Sequence, residues 1–208
     1  MIAIRWAVAS LSILMSLTAF AEGDAAAGQS KAATCAACHG IDGNSTVANW
    51  PKLAGQHPDY LVRQTTLIRD GERPVPEMQA LVASLDAQDI EDLAAYFSEQ
   101  AAKPAAADEA LVAAGEKLYR GGNADEGTPA CLACHGAAGE GIPLAGYPKL
   151  AGQHATYTAN MLKKFRAGDT WGEDDAPSQV MTGVARYLTD AEIDAVASYI
   201  EGLHAAGE

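Results

Sequence analysis

Apolar residues recur at helical spacing near the end of each half of the chain: Ile90, Leu93, Ala94 and Phe97 in the first, Ile193, Val196, Ala197 and Ile200 in the second. A period of 3.6 residues puts each set on one helix face, so both stripes are read as core. Thr189-Asp190-Ala191-Glu192 precedes the second stripe as a capping box, and Asp86-Ala87-Gln88-Asp89 is its weaker counterpart before the first. Segments 58–69 and 155–166 carry helical patterns too, stopped at Gly71 and Gly168. A further helix opens each half, over 24–38 in the first and from 108 to about 119 in the second. No strand-like alternation occurs, so the fold class is all-α.

Residues 1–21 read as a secretory signal peptide. Arg5 supplies a positive start, the run from Ala7 to Leu17 is mostly apolar, and Ala19-Phe20-Ala21 fits the small-x-small cleavage rule. That run is short for a membrane span, and the alternative is an uncleaved N-terminal anchor. Export to the periplasm would place the cysteines outside a reducing cytosol.

The pattern is duplicated. Pro51-Lys52-Leu53-Ala54-Gly55-Gln56-His57 returns unchanged as Pro148-Lys149-Leu150-Ala151-Gly152-Gln153-His154, and Leu85, Ile90 and Tyr96 return as Leu188, Ile193 and Tyr199. The offset grows from 97 in the first pair to 103 in the second, so 6 extra residues lie in the acidic stretch around Trp171–Asp175. A second insertion occupies Gly121–Gly127, and Ala101–Ala107 reads as a linker. A copy of about 100 residues is domain-sized, not a solenoid unit. The chain therefore divides into residues 22–103 and 104–208 after the leader. Each copy is small for an independent core, and aromatic residues make up only 6% of the chain, which suits a core completed by a large apolar cofactor.

All 4 cysteines fall in two motifs, Cys35-Ala36-Ala37-Cys38-His39 and Cys131-Leu132-Ala133-Cys134-His135. Cys-x-x-Cys-His is the attachment signature of c-type haem: the thiols reach the two vinyl groups of one porphyrin, and the histidine lies beneath the iron. Disulfides or a zinc site are the alternatives for the thiols. The gap of about 90 residues between the pairs is far from the 15–20 of a zinc ribbon. Neither alternative explains the histidine after each pair. Two covalent haem c groups are expected, on Cys35, Cys38 and His39, and on Cys131, Cys134 and His135.

The second axial ligand decides between electron transfer and catalysis. Met78 and Met181 are related by the same offset of 103 as Leu85 and Leu188, and each precedes the closing helix in a segment expected to be a loop over the haem. Met161 aligns with Gln64 beside Leu162 and Phe165, and is read as core. His39 with Met78 and His135 with Met181 are thus the expected iron ligands. His57 and His154 form the rival pair, with helix capping or a bond to a haem propionate as their other roles. Lys52/Lys149, Arg69/Arg166 and Tyr60/Tyr157 recur at matching positions and are candidates for propionate donors, or simply solvated. Trp50 and Tyr147 are candidates to line the haem edge.

The two haem motifs, the repeated Pro-Lys-Leu-Ala-Gly-Gln-His and the paired Met78 and Met181 together resemble the cytochrome c4 family over the whole chain after the leader. The resemblance implies two class I cytochrome c domains related by pseudo-twofold symmetry, with propionates facing each other across the interface. It implies electron donation to a terminal oxidase, with at most peripheral association with a membrane. The leading expectation is a carrier that accepts from a quinol-oxidising complex and donates to a terminal oxidase or reductase. No catalysis is expected of the chain itself. Other readings are the electron-accepting subunit of a larger dehydrogenase, such as a flavin-linked sulfide oxidiser, and a di-haem peroxidase. The formal charge of −13, with acidic excess in both halves, excludes nucleic acid as a partner. It favours partners with basic docking patches, through an attraction that weakens with salt.

Overall fold

The computed structural model describes residues 23–103, 105–172 and 175–204, so the expected leader lies outside the described residues. Five helices build the first half: α1 Ala25–Lys31, α2 Ala33–His39, α3 Pro58–Arg69, α4 Pro76–Val82 and α5 Ala87–Ser98. Five build the second: α6 Glu109–Gly121, α7 Leu132–His135, α8 Ala155–Ala167, α9 Ala176–Ala185 and α10 Asp190–Gly202. Among the described residues the only β pairing is two isolated bridges, Asn123 with Thr128 and Ile142 with Tyr147.

Each half has its own core, built where its opening helix crosses its closing helix: α1 on α5, and α6 on α10. Both crossings depend on a glycine. A Cβ on Gly28 would lie 2.0 Å from the Asp92 carbonyl oxygen, and one on Gly115 would lie 2.3 Å from that of Ala195. The helices approach this closely because no side chain stands between them. Both apolar stripes of the closing helices are buried, and both capping boxes are complete. Asp89 serves as well as Glu192 because its carboxylate still reaches the N-cap amide, at 3.2 Å.

Several boundaries differ from those the pattern suggests. The opening helix of the first half is two segments, meeting at fully buried Ala32, where ψ is −13°. In the second half the Gly121–Gly127 insertion folds into a tight turn closed by the Asn123–Thr128 bridge. It leaves the second haem motif on a separate four-residue helix. Met78 and Met181 lie on α4 and α9, not in loops. Their prolines, Pro76 and Pro177, occupy the first turn of each helix, where the missing N–H has no partner to lose and φ is already helical.

The halves meet along a face that the duplicated segments build. Arg73, in the loop before α4, is buried against the other half. Its guanidinium donates to Gln64 Oε1 at 2.8 Å and to the Tyr157 hydroxyl at 3.0 Å, and lies 4.3 Å from the Trp171 ring centroid. Arg63 pairs with Asp175. Trp171 and Asp175 flank the inserted acidic stretch, so these two ends of the insertion turn inward onto the first half. Trp171 is 7% exposed and also packs on Phe165 at 5.1 Å. Truncation of Trp171 to alanine is expected to cost about 3–4 kcal/mol. Denaturant unfolding of the holoprotein followed by circular dichroism measures this. The Arg73–Trp171 coupling, from a double-mutant cycle, is expected near 1 kcal/mol.

Candidate functional site

The first cysteine–histidine motif sits on α2, and the second on α7 with Cys131 at its N-cap. In each motif the helix places the half-buried cysteines one turn apart, with the buried histidine in the last position. Gly40 and Gly136 follow with φ of 78° and 81°, and turn the chain away at once. No disulfide joins any of the 4 cysteines.

His39 Nδ1 lies 2.8 Å from the Pro51 carbonyl oxygen, and His135 Nδ1 lies 3.0 Å from that of Pro148. A carbonyl accepts only, so Nδ1 carries the hydrogen in each ring and Nε2 carries the lone pair. Burial depresses the pKa of both imidazoles, the carbonyl bond opposing it, which keeps the neutral ligand form. A neutral imidazole oriented through Nδ1 by a backbone acceptor is the arrangement that metal-ligating histidines adopt. The donor set therefore fits haem on both motifs: two thiols and one oriented Nε2 on each. Tyr147, the counterpart of Trp50, stacks obliquely on His135 with ring centroids 6.0 Å apart. Trp50 is partly exposed.

Met78 and Met181 are half-buried, and Met181 packs on the second core. Met161 also packs on that core, as its helix spacing suggests. The rival histidines have another task. His57 and His154 occupy the N-cap positions of α3 and α8 but make no side-chain cap. Instead His57 Nε2 lies 2.9 Å from the Glu140 carbonyl oxygen, while His154 Nε2 lies 2.9 Å from that of Ser45 and its Nδ1 3.3 Å from Glu201. Both rings cross to the opposite half. Arg69 and Arg166 likewise hold the chain itself, donating to the Leu85 and Leu188 carbonyls ahead of the closing helices at 3.4 and 2.7 Å. Lys52 Nζ donates to the Lys103 carbonyl at 2.7 Å.

Two groups escaped the sequence reading. Gln56 and Gln153, within the repeated heptapeptide, bridge the halves reciprocally. Gln153 Oε1 accepts from the Lys52 N–H at 2.9 Å and its Nε2 donates to the Lys52 carbonyl at 3.0 Å. Gln56 does the same to Lys149, at 2.9 and 2.8 Å. The glycines Gly28 and Gly115 also escaped, although each ends an Ala-Ala-Gly that occurs in both halves.

Two helical domains in tandem, related by pseudo-twofold symmetry, each with a Cys-x-x-Cys-His helix and a backbone-oriented histidine, define a di-haem c-type cytochrome. The family model "Cytochrome c" matches twice, over residues 25–100 and 112–204. Cytochrome c4 of Pseudomonas aeruginosa is 51% identical over 94% of this chain and 97% of that protein. The crystal structure of reduced recombinant cytochrome c4 from Pseudomonas stutzeri is 50% identical, with a TM-score of 0.83 over 88% of this chain and 100% of that one. A thiosulfate dehydrogenase electron acceptor from Thiomonas intermedia is 36% identical over 84% of this chain and 81% of that protein. The chain belongs to the cytochrome c4 family. It is a di-haem electron carrier, with covalent haem c on Cys35 and Cys38 and on Cys131 and Cys134.

Proposed function

We propose that the chain accepts electrons one at a time from a quinol-oxidising complex and passes them to a terminal oxidase or reductase, as a periplasmic carrier with two haems. In this reading residues 1–21 direct export, residues 22–103 and 104–208 each carry one haem, and any contact with a membrane is peripheral. No helix among the described residues is long and apolar enough to cross a membrane. His39 with Met78, and His135 with Met181, would hold the two irons, which would leave no position for a substrate, and the chain does no bond chemistry.

The observation that carries the reading is the pair of buried histidines whose Nδ1 is spent on a proline carbonyl, leaving Nε2 for iron. Bound haem supplies a one-electron couple, and methionine ligation raises its potential relative to a bis-histidine site. The protein contributes orientation, exclusion of water and a fixed separation of the two sites. The ferric protein is expected to show the far-red sulfur-to-iron absorption from both haems and to keep its pigment in acidified acetone. High-spin haem, or the absence of that band, overturns the assignment.

A second reading is favoured by the relative named as a thiosulfate dehydrogenase electron acceptor. There the chain takes electrons from a dehydrogenase instead of a quinol-oxidising complex, with the same ligands. Co-purification with a second polypeptide, and reduction of the haems by it, decides for that donor.

A further inference from the structure

The glutamine bridges fall on particular peptide groups. The Pro51–Lys52 peptide accepts the His39 Nδ1–H through its oxygen at 2.8 Å and donates its N–H to Gln153 Oε1 at 2.9 Å. The Pro148–Lys149 peptide accepts from His135 at 3.0 Å and donates to Gln56 Oε1 at 2.9 Å. A single peptide unit thus joins each haem-motif histidine to a side-chain amide of the opposite domain.

Each amide is fixed at both ends. Its Nε2 donates to the neighbouring lysine carbonyl, and its Oε1 also accepts from the backbone N–H of its own following histidine, His57 or His154, at 3.0 Å. An N–H that donates to such an acceptor leaves more electron density on the carbonyl of the same peptide, because hydrogen bonds in a chain polarise one another. The carbonyl then accepts more strongly from Nδ1–H, and the imidazole becomes a better electron donor at Nε2.

We infer that Gln153 and Gln56 are positioning residues acting across the domain interface, each lowering the reduction potential of the haem held by the other domain's histidine. The inference rests on His39 and His135 as the iron ligands proposed above. It makes both potentials properties of the assembled pair, since neither domain contains the amide that polarises its own histidine. The reciprocal geometry gives the rule a distinctive signature: a change in one domain is read at the other domain's iron.

The test is an optical redox titration of the full-length holoprotein, with the first haem identified by the shift that Met78→His produces in it. Gln153→Leu is expected to raise the potential of the first haem by about threefold in its redox equilibrium constant, about 28 mV for a one-electron couple. The second haem stays within a small fraction of that. Gln56→Leu is expected to give the mirror result. Gln153→Glu, whose carboxylate accepts more strongly, is expected to lower the first haem's potential, and serves if the leucine variant folds poorly. His57→Leu removes the interdomain bond from its ring to the Glu140 carbonyl but keeps the backbone N–H that donates to Gln56, and is expected to leave both potentials in place. Unchanged potentials, a shift at the haem of the mutated domain, or an equal shift at both overturns the inference while the sulfur-to-iron band stands. Loss of that band from the parent protein removes the ligand assignment and the inference with it.

Discussion

With Met78 as the proposed ligand, Met78→His is expected to lower the reduction potential of the first haem by about 0.2 V, a modest part of the roughly 0.8 V range that axial ligands span, and to leave the second haem nearly unchanged. The sulfur of methionine favours ferrous iron, whereas a second imidazole favours the ferric state, so the sign is fixed by ligand chemistry. Selectivity follows from the architecture. Met78 lies on α4 in the first half, while Met181, its counterpart, packs against the core of the second. Met181→His should reverse the pattern. Redox titration with each haem followed optically measures both, and a uniform fall in the two potentials would show that the sites are not electronically separate. The far-red band is expected to halve in each single variant, which reports the ligand change independently of the potential.

Gly115→Val is expected to destabilise the second domain by about 3 kcal/mol, at the upper end of what overpacking costs. For a domain of this size that corresponds to a fall of roughly 15 °C in Tm. The first added atom would already meet the Ala195 carbonyl at 2.3 Å and Tyr199 Cβ at 2.6 Å. Neither neighbour is the free end of a flexible side chain, so α6 and α10 must separate. That separation opens the core around Ile193, Val196 and Tyr199. Gly28→Val should act in the same way on α1 and α5, where the Asp92 carbonyl stands at 2.0 Å. Gly183 provides the contrast. It is an exposed glycine on α9 with nothing within 4 Å of an added Cβ, so Gly183→Ala is expected to stabilise by up to about 1 kcal/mol. Thermal unfolding of the holoproteins distinguishes the three. If Gly115→Val unfolds like the parent, the close crossing is not what holds α6 on α10.

Reciprocity is the organising property of the interface. The heptapeptide that occurs twice supplies Gln56 and Gln153, which bridge to each other's Pro-Lys segments, and His57 and His154, which reach across to Glu140 and Ser45. Onto this twofold set the inserted stretch adds a one-sided contact. Trp171 covers Arg73, and Asp175 pairs with Arg63. The guanidinium of Arg73 keeps its charge although it is buried: burial works against the charged form, and the Tyr157 and Tyr60 hydroxyls on either side offset it. The same desolvation pushes the Tyr60 hydroxyl up. The inserted acidic stretch therefore brings its two ends to the domain contact, where an aromatic face meets the buried Arg73 and a carboxylate meets the half-buried Arg63.

The chain by itself determined the chemistry and the count. Cys-x-x-Cys-His needs only five residues on one helical turn, so the covalent site is legible without any fold, and duplication at a domain-sized offset announced two of them. Helical periodicity located the closing helices because their buried faces repeat every 3.6 residues. Tertiary structure decided what depends on residues distant in sequence. The prolines before Met78 and Met181 begin helices instead of marking loops, since at a helix start a missing N–H costs nothing. The duplicated histidines hydrogen-bond to carbonyls of the opposite half and the duplicated arginines to carbonyls 16 and 22 residues on in their own half, and neither acceptor has a signature in local pattern. Which peptide faces which glutamine was decided only when two copies of one segment were laid against each other, a relation that no single stretch of sequence encodes.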